Sequence, residues 1–134
     1  MKGQDCGELR SAPRLAPYVT IEQFGQPNLR RLGQPAAEDI ALAERGLDRI
    51  RQVLASGEYQ IVVLDEICVA LHFKLARVED VLGIIGHRPP GVELGLTGRR
   101  APQEILDAAD LVTEMREVKH PYHRGVPARR GIES

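Results

Sequence analysis

The sequence predicts an α/β fold: a three-layer, mostly parallel β-sheet with helices on both faces. Two observations support this prediction. Strand and helix patterns alternate along the chain, which is the order that builds right-handed βαβ units. The run Ile61–Leu64 is apolar without alternation, as is typical of a strand that is covered on both faces of a parallel sheet. The 134 residues are expected to form a single domain with a C-terminal arm at 117–134.

The composition is that of an ordinary globular protein. The formal net charge is −1, with 28% charged and 43% hydrophobic residues, so the charge balance does not indicate a polyanion binder. Cys6 and Cys68 form no CxxC pair, which favours reduced thiols and a cytoplasmic protein. The first 20 residues carry five charges and no continuous apolar segment. Neither secretion nor a membrane partner is therefore expected.

The N-terminal quarter of the chain is predicted to hold little regular structure. Residues 1–17 show no sustained period and are expected to form a loop with at most one short element. Residues 18–24 alternate apolar and polar side chains and are predicted to form a strand. The glycines and proline that follow indicate an exposed loop over 25–34.

The other elements are predicted from periodicity and from the residues that mark their ends. The clearest helix covers about 35–56, because its apolar residues are spaced by three and four and share one face. A second amphipathic helix is predicted at 77–86 and a short one at 102–109. The predicted strands are 61–64, 92–97 and 111–115.

Three predicted strand ends carry residues that could bind a ligand. In open α/β sheets, ligands bind beyond the carboxyl ends of the strands. Asp65 and Glu66 follow the first apolar strand, and residues 97–100 and 114–116 follow the next two. Carboxylates at a strand end can hold Mg²⁺ directly or through water. An Arg at a neighbouring strand end, such as Arg99, can contact phosphate oxygens bidentately.

The first two of these strings also have a purely structural interpretation, which is favoured when each string is considered alone. Asp65 and Glu66 fit a helix N-cap and a first-turn acid, because a helical pattern begins at Ile67. Residues 97–99 fit a strand-to-helix turn with a solvated Arg. At the level of single motifs, metal and phosphate binding remain the alternative.

The C-terminal arm mixes basic and aromatic residues. Lys119 and His120 belong to a basic run that could contact nucleic acid. A net charge of −1 and 4% aromatic residues favour a solvated surface arm, so no nucleic-acid partner is expected. His120 and His123 are separated by a proline and a tyrosine, with no third His or Cys nearby. A zinc site is therefore not expected.

Taken together, two long strings resemble one known family. They are GEYQIVVLDEICVALHF from Gly57 and LTGRRAPQEILDAADLVTEMREVKHPYHRGVPARRGIE from Leu96. They closely resemble the cob(I)alamin (corrinoid) adenosyltransferases of the CobA/CobO/BtuR type. The ordered motifs TGR-x-AP, AADLVTEMR-x-VKHP and G-x-x-A-x-x-GIE are the most specific part, and the resemblance extends from Lys2 to Glu133.

The resemblance implies transfer of the 5'-deoxyadenosyl group of ATP to the cobalt of a reduced corrinoid, with release of triphosphate. It also implies a P-loop, RecA-like fold that usually forms a homodimer. Since reduced cobalt is the nucleophile, the protein's task is placement of the substrates, and no catalytic nucleophile is expected. Asp65 is implied as the Walker B acid and Glu66 as a Mg²⁺ ligand. Arg99, Lys119 and His120 are implied to face the ATP phosphates or to close the pocket over them.

The corrinoid is implied to contact the loop that runs from Phe24 to Gly33. Phe24, Leu29 and Arg31 are the residues of this loop expected at the corrinoid face. Some family members carry a Phe and a Trp there, which displace the lower ligand of the corrinoid. This chain has no Trp, so that mechanism is not carried over to it.

The chain departs from the family pattern at its N-terminus. Family members begin with a strand, a phosphate loop of the form GxGKGKT and a helix, whereas Met1-Lys2-Gly3 resembles the end of their second strand. No G-x-x-x-x-G-K-[ST] occurs in the 134 residues. We therefore expect an N-terminally truncated P-loop fold with severely reduced ATP affinity and catalysis, and association through exposed strand edges. The alternative is a non-catalytic corrinoid-binding remnant or cobalamin carrier.

Overall fold

The computed structural model describes residues 7–25, 35–129 and 132, and within these ranges the chain is a mixed α/β structure. The helices are α1 (Gly7–Ser11), α2 (Ala37–Ser56), α3 (Ile67–His72), α4 (Val78–Gly86) and α5 (Gln103–Ala108), with 3₁₀ helices at Ala12–Leu15 and Pro121–Arg124. The strands are β1 (Ile61–Leu64) and β2 (Glu93–Leu96). The three main helices and both central strands lie within two residues of their predicted bounds.

The two strands form a parallel pair joined by a helical crossover. Ile61 pairs with Glu93 and Leu64 with Leu96, and α3 and α4 connect the strands. This is the βαβ unit that the alternation of elements predicts. Because the strands run in the same direction, their carboxyl ends meet at one edge of the sheet. The loops that follow Leu64 and Leu96 are therefore neighbours.

A single hydrophobic core lies on the helical side of this sheet. Val62 and Leu64 project into it from β1, while Val81 and Ile84 of α4 are 0% and 2% exposed. The core also takes in α2 and α5, through buried residues that include Leu47, Leu54 and Ile105. The amphipathic pattern of α2 and α4 thus correctly predicts the faces that they bury.

The opposite face of β1 is open within the described ranges, so the prediction of a strand covered on both faces is wrong there. Ile61 and Val63 are 67% and 54% exposed. The helices α2, α3, α4 and α5 contribute residues to the core cluster on the other side, and within the described ranges none of them buries Ile61 or Val63. An apolar run without alternation is compatible with burial on both faces but does not require it.

Two other predicted strands do not form. Residues 18–24 and 111–115 have no strand hydrogen bonding in the described part of the chain. In the first segment the alternating Val19 and Ile21 stay 42% and 41% exposed. The segment is held to α2 through Glu22, whose Oε1 accepts hydrogen bonds from Arg49 Nε and Nη2 at 2.9 and 2.7 Å. These bonds also hold the pKa of Glu22 below its usual value. In the second segment Leu111 and Met115 are 84% and 94% exposed.

The helix α4 offers a simple test of backbone energetics. Gly83 lies inside this helix, and a Cβ placed there would meet nothing within 4 Å. Gly83→Ala is therefore expected to raise the free energy of unfolding by about 0.5–1 kcal/mol, because Ala loses less backbone entropy on folding. Urea unfolding followed by circular dichroism measures the change. As a control, Gly57→Ala, where φ is +69°, should lower the free energy of unfolding by about 1 kcal/mol. A loss of stability for Gly83→Ala would contradict the entropic argument for that position.

Candidate functional site

The candidate site is built where the loops after β1 and β2 meet. Asp65 and Glu66 follow β1, and Thr97, Gly98 and Arg99 follow β2. All except Glu66 are exposed to solvent. The structure thus brings together the first two of the three strand ends that the sequence singled out.

Thr97 joins the two loops through both its side chain and its backbone. Its hydroxyl donates to Asp65 Oδ1 at 2.6 Å and accepts the backbone N–H of Glu66 at 2.9 Å. Its own N–H donates to Leu64 O at 3.2 Å, and its carbonyl accepts from the N–H of Cys68 at 3.2 Å. Sequence reasoning named Thr97 only as part of a strand end and missed this role.

Gly98 allows the two loops to come this close. Its φ is +133°, and a Cβ added there would lie 2.9 Å from Cys68 Cβ and 3.2 Å from the backbone nitrogens of Cys68 and Val69. The conformation and the distance both exclude an ordinary side chain. The Gly of the TGR string is thus required by the approach of the β2 loop to the start of α3.

The structural alternative for Asp65 and Glu66 is correct in one respect and wrong in another. A helix does begin at Ile67, as that interpretation required, and Glu66 is its N-cap with φ +59°. No side chain caps it, however, and Asp65 accepts the Thr97 hydroxyl instead. The carboxylate of Asp65 is thus directed across to the neighbouring strand end rather than along its own helix.

Arg100 is the basic residue of this loop with a defined contact. Its Nη1 lies 2.6 Å from His72 Nε2 at the end of α3, and since a guanidinium only donates, the imidazole nitrogen accepts. Arg100 also has φ +61°. The preceding Arg99 is exposed. The contact fixes the far end of the TGRR string against α3.

Cys68 is not a candidate nucleophile. The residue is 4% exposed, and burial raises the pKa of its thiol. A thiol in these surroundings stays protonated near neutral pH and is a poor nucleophile.

A cavity of about 660 Å³ adjoins the two carboxylates. Its walls come from residues 18–24, from α2 and from β1, and Asp65 and Glu66 line one part of it. Phe24 lines it as well, and its ring packs over Gly46, where an added Cβ would lie 3.1 Å from Phe24 Cγ. The structure thus places one residue predicted for the corrinoid on the same cavity as the two predicted for the metal.

The remaining predicted site residues are not brought to this point. Lys119 and His120 are exposed in the arm, and His120 Nδ1 accepts the N–H of Tyr122 at 3.1 Å as the cap of the 3₁₀ helix. Among the described residues, no hydrogen bond or ion pair joins either of them to Asp65 or Arg99. Leu29 and Arg31 lie outside the described residues.

The two carboxylates suit a hard cation that keeps most of its water. Over residues 7–25 and 35–129, no group of three or more His, Cys, Asp and Glu side chains is assembled for a metal. Mg²⁺ is commonly bound through one or two carboxylates together with waters and substrate phosphates. The donor set therefore fits a metal that arrives with a nucleotide better than a permanently held ion.

In the same part of the chain, no helix has the length and apolarity to cross a membrane.

The comparisons with known proteins agree on one family. The family model of the ATP:corrinoid adenosyltransferase BtuR/CobO/CobP matches residues 1–134. A corrinoid adenosyltransferase of Sinorhizobium sp is 35% identical over 101 residues, which cover 75% of this chain and 47% of that protein. A corrinoid adenosyltransferase of Pseudomonas aeruginosa is 39% identical over 100 residues, covering 75% and 49%. Corrinoid adenosyltransferase CobA of Salmonella typhimurium is 36% identical over 83 residues, covering 62% and 42%. The chain spans about half the length of these curated relatives.

Proposed function

Because this chain belongs to the family of ATP:corrinoid adenosyltransferases, we propose that it acts in the transfer of the 5'-deoxyadenosyl group of ATP to a reduced corrinoid. In that reaction the electron pair of the reduced cobalt forms a bond to C5' of ATP. The C5'–O bond breaks, and triphosphate leaves with the bonding pair. The protein has to align the two substrates and stabilise the charge that develops on the leaving group.

The observation that carries the proposal is the position of Asp65. Its carboxylate lies at the junction of two parallel strand ends, held by Thr97, and lines the cavity of about 660 Å³. Ligands of open α/β sheets bind at such junctions. We assign the triphosphate to this junction, with Asp65 and Glu66 facing its Mg²⁺ and Arg99 facing the phosphate oxygens. The magnesium ion would supply neutralisation of the leaving triphosphate.

The corrinoid is assigned to the cavity side of the site. Phe24 lies on the cavity, and the wall there is mainly apolar, which suits the apolar face of the corrin ring and helps to exclude water. Leu29 and Arg31 are proposed for the same face on the resemblance alone. Lys119 and His120 are proposed to close over the nucleotide, which requires the exposed arm to move towards Asp65. A cytoplasmic homodimer with a RecA-like fold completes the proposal.

A second candidate function is corrinoid binding without transfer. It is favoured by the cavity of about 660 Å³ beside Phe24, whose mainly apolar wall can contact a corrinoid without a nucleotide. On this alternative, the cavity beside Phe24 binds the corrinoid and Asp65 has no metal to hold.

One assay separates the two functions. The 134-residue chain is incubated with ATP, Mg²⁺ and chemically reduced cobalamin, and adenosylcobalamin is followed by its absorption spectrum. We expect product above the uncatalysed background, at a rate well below that of the Pseudomonas aeruginosa relative, because this sequence carries no phosphate-loop motif. Cobalamin binding without product would support the carrier function. A chain that binds neither substrate would refute both functions, and a rate equal to the relative's would refute the expected impairment.

A further inference from the structure

We propose that Thr97 is a positioning residue that holds the Asp65 carboxylate in one orientation for metal-nucleotide binding. This proposal rests on the function proposed above. Thr97 is not assigned a contact with either substrate. It acts through Asp65, by occupying Oδ1 and leaving Oδ2 as the oxygen available to a ligand.

The directions of the hydrogen bonds at Thr97 are fixed by their partners. The N–H of Glu66 can only donate, so the Thr97 hydroxyl oxygen accepts there, at 2.9 Å. An ionised carboxylate can only accept, so the single hydroxyl proton points to Asp65 Oδ1, at 2.6 Å. A hydroxyl bond to a carboxylate of this length is in the charge-assisted range. Thr97 thus links the backbone of one metal-binding candidate to the side chain of the other.

The hydroxyl is itself held in place by the backbone around it. The N–H of Thr97 is bonded to Leu64 O and its carbonyl to the N–H of Cys68, both at 3.2 Å. A β-branched side chain on a fixed backbone has few accessible χ1 rotamers. Asp65 is exposed, and an exposed carboxylate without such a partner would sample several rotamers. Ordering it in advance reduces the entropy lost when the metal-nucleotide binds.

The residue type can be tested by three substitutions. Thr97→Val keeps the shape and removes the hydroxyl, Thr97→Ala removes it without adding bulk, and Thr97→Ser keeps it. We expect Thr97→Val and Thr97→Ala to weaken binding of Mn²⁺-ATP about 10- to 100-fold, the range for loss of a group that orients a metal ligand. The affinity of Thr97→Ser for Mn²⁺-ATP should stay within about threefold of that of the unsubstituted chain. Electron paramagnetic resonance of Mn²⁺, titrated with and without ATP, measures the binding directly and needs no turnover.

The controls separate failure of this proposal from failure of the proposed function. Asp65→Asn reports on the metal site itself, and Asp48→Asn, on an exposed face of α2, is the matched change at an unrelated acid. If Asp65→Asn leaves Mn²⁺-ATP binding unchanged, the assigned metal site is wrong. If Asp65→Asn weakens binding but neither Thr97→Val nor Thr97→Ala does, the assigned metal site is supported and the role of Thr97 is refuted. Equal losses of Mn²⁺-ATP affinity in Thr97→Ser, Thr97→Val and Thr97→Ala would also refute the role of Thr97, because the hydroxyl would then make no difference.

A measurement on the unsubstituted chain keeps the proposal testable if Val and Ala fail to fold. The Thr97 hydroxyl bonds to Asp65 Oδ1 only when χ1 of both side chains is fixed, and three-bond couplings between the α and β protons measure χ1 by NMR. We expect a single χ1 rotamer for Asp65 in the unsubstituted chain and for Thr97 in the unsubstituted chain but not in Asp65→Ala. Asp65 couplings averaged over several rotamers in the unsubstituted chain would overturn the proposal.

Discussion

Replacing Asp65 with Asn is expected to lower the proposed Mg²⁺-dependent adenosyl transfer by about 100-fold, the effect of removing one preorganised charged group from a site where charge develops. Asn keeps the size of the side chain and can still accept the Thr97 hydroxyl, so the loop geometry should survive. What is lost is the negative charge that attracts the cation. The rate is followed by the appearance of adenosylcobalamin at several Mg²⁺ concentrations, with unfolding curves recorded in parallel.

The form of the loss distinguishes a metal ligand from a residue that only shapes the loop. If Asp65 is a metal ligand, a higher Mg²⁺ concentration should restore part of the rate of Asp65→Asn. If the variant misfolds, a higher Mg²⁺ concentration should restore none of it. Asp48→Asn, at an acid of α2 paired with Arg51, should leave the rate unchanged. Glu66→Gln tests the second carboxylate in the same assay. A rate for Asp65→Asn within about threefold of the unsubstituted chain would remove Asp65 from the metal site, since charged groups at such sites contribute far more.

The sequence predicts helices and paired strands better than it predicts which segments find a partner. The bounds of α2, α4, β1 and β2 follow from periodicity and from flanking Gly and Pro residues. The segments 18–24 and 111–115 have strand-like composition, but a strand exists only when another backbone pairs with it. Alternation reports which side chains face an apolar surface. In 18–24 the alternating Val19 and Ile21 remain 42% and 41% exposed, although Phe24 at the end of the segment packs on Gly46 of α2.

The candidate site was predicted in its parts but not in its connections. The strings containing Asp65 and Arg99 each placed polar groups after a strand, which local sequence can reveal. The bond between Asp65 and Thr97 joins residues 32 positions apart and depends on the parallel register of β1 and β2. Register is a property of two strands together, so no local pattern contains it. A polar residue directly after each of two adjacent parallel strands is the signal that could have suggested the contact.

Replacing Gly98 with Ala is expected to be the most destabilising single-methyl change in this loop. Two costs add: about 1–3 kcal/mol for a non-glycine residue in an unfavourable backbone region, and about 1–3 kcal/mol for forcing a methyl into filled space. The new Cβ would lie 2.9 Å from Cys68 Cβ and 3.2 Å from two backbone nitrogens. These atoms belong to the backbone and to the first side-chain carbon, so no change of rotamer can relieve the contact. The loop has to move away from α3.

The consequence of that movement links stability to function. Thr97 precedes Gly98, so a displaced loop should lose the Thr97 to Asp65 bond and weaken Mn²⁺-ATP binding together with the fold. Urea unfolding should show a loss of about 2–6 kcal/mol for Gly98→Ala, the sum of the two costs. The matched control is Gly125→Ala, where φ is +73° but no atom lies within 4 Å of the added Cβ. That variant should lose only about 1 kcal/mol. Equal, small losses of unfolding free energy in Gly98→Ala and Gly125→Ala would mean that the loop after β2 can move away from α3 at little cost. The close approach to α3 would then not be what holds the two strand ends together.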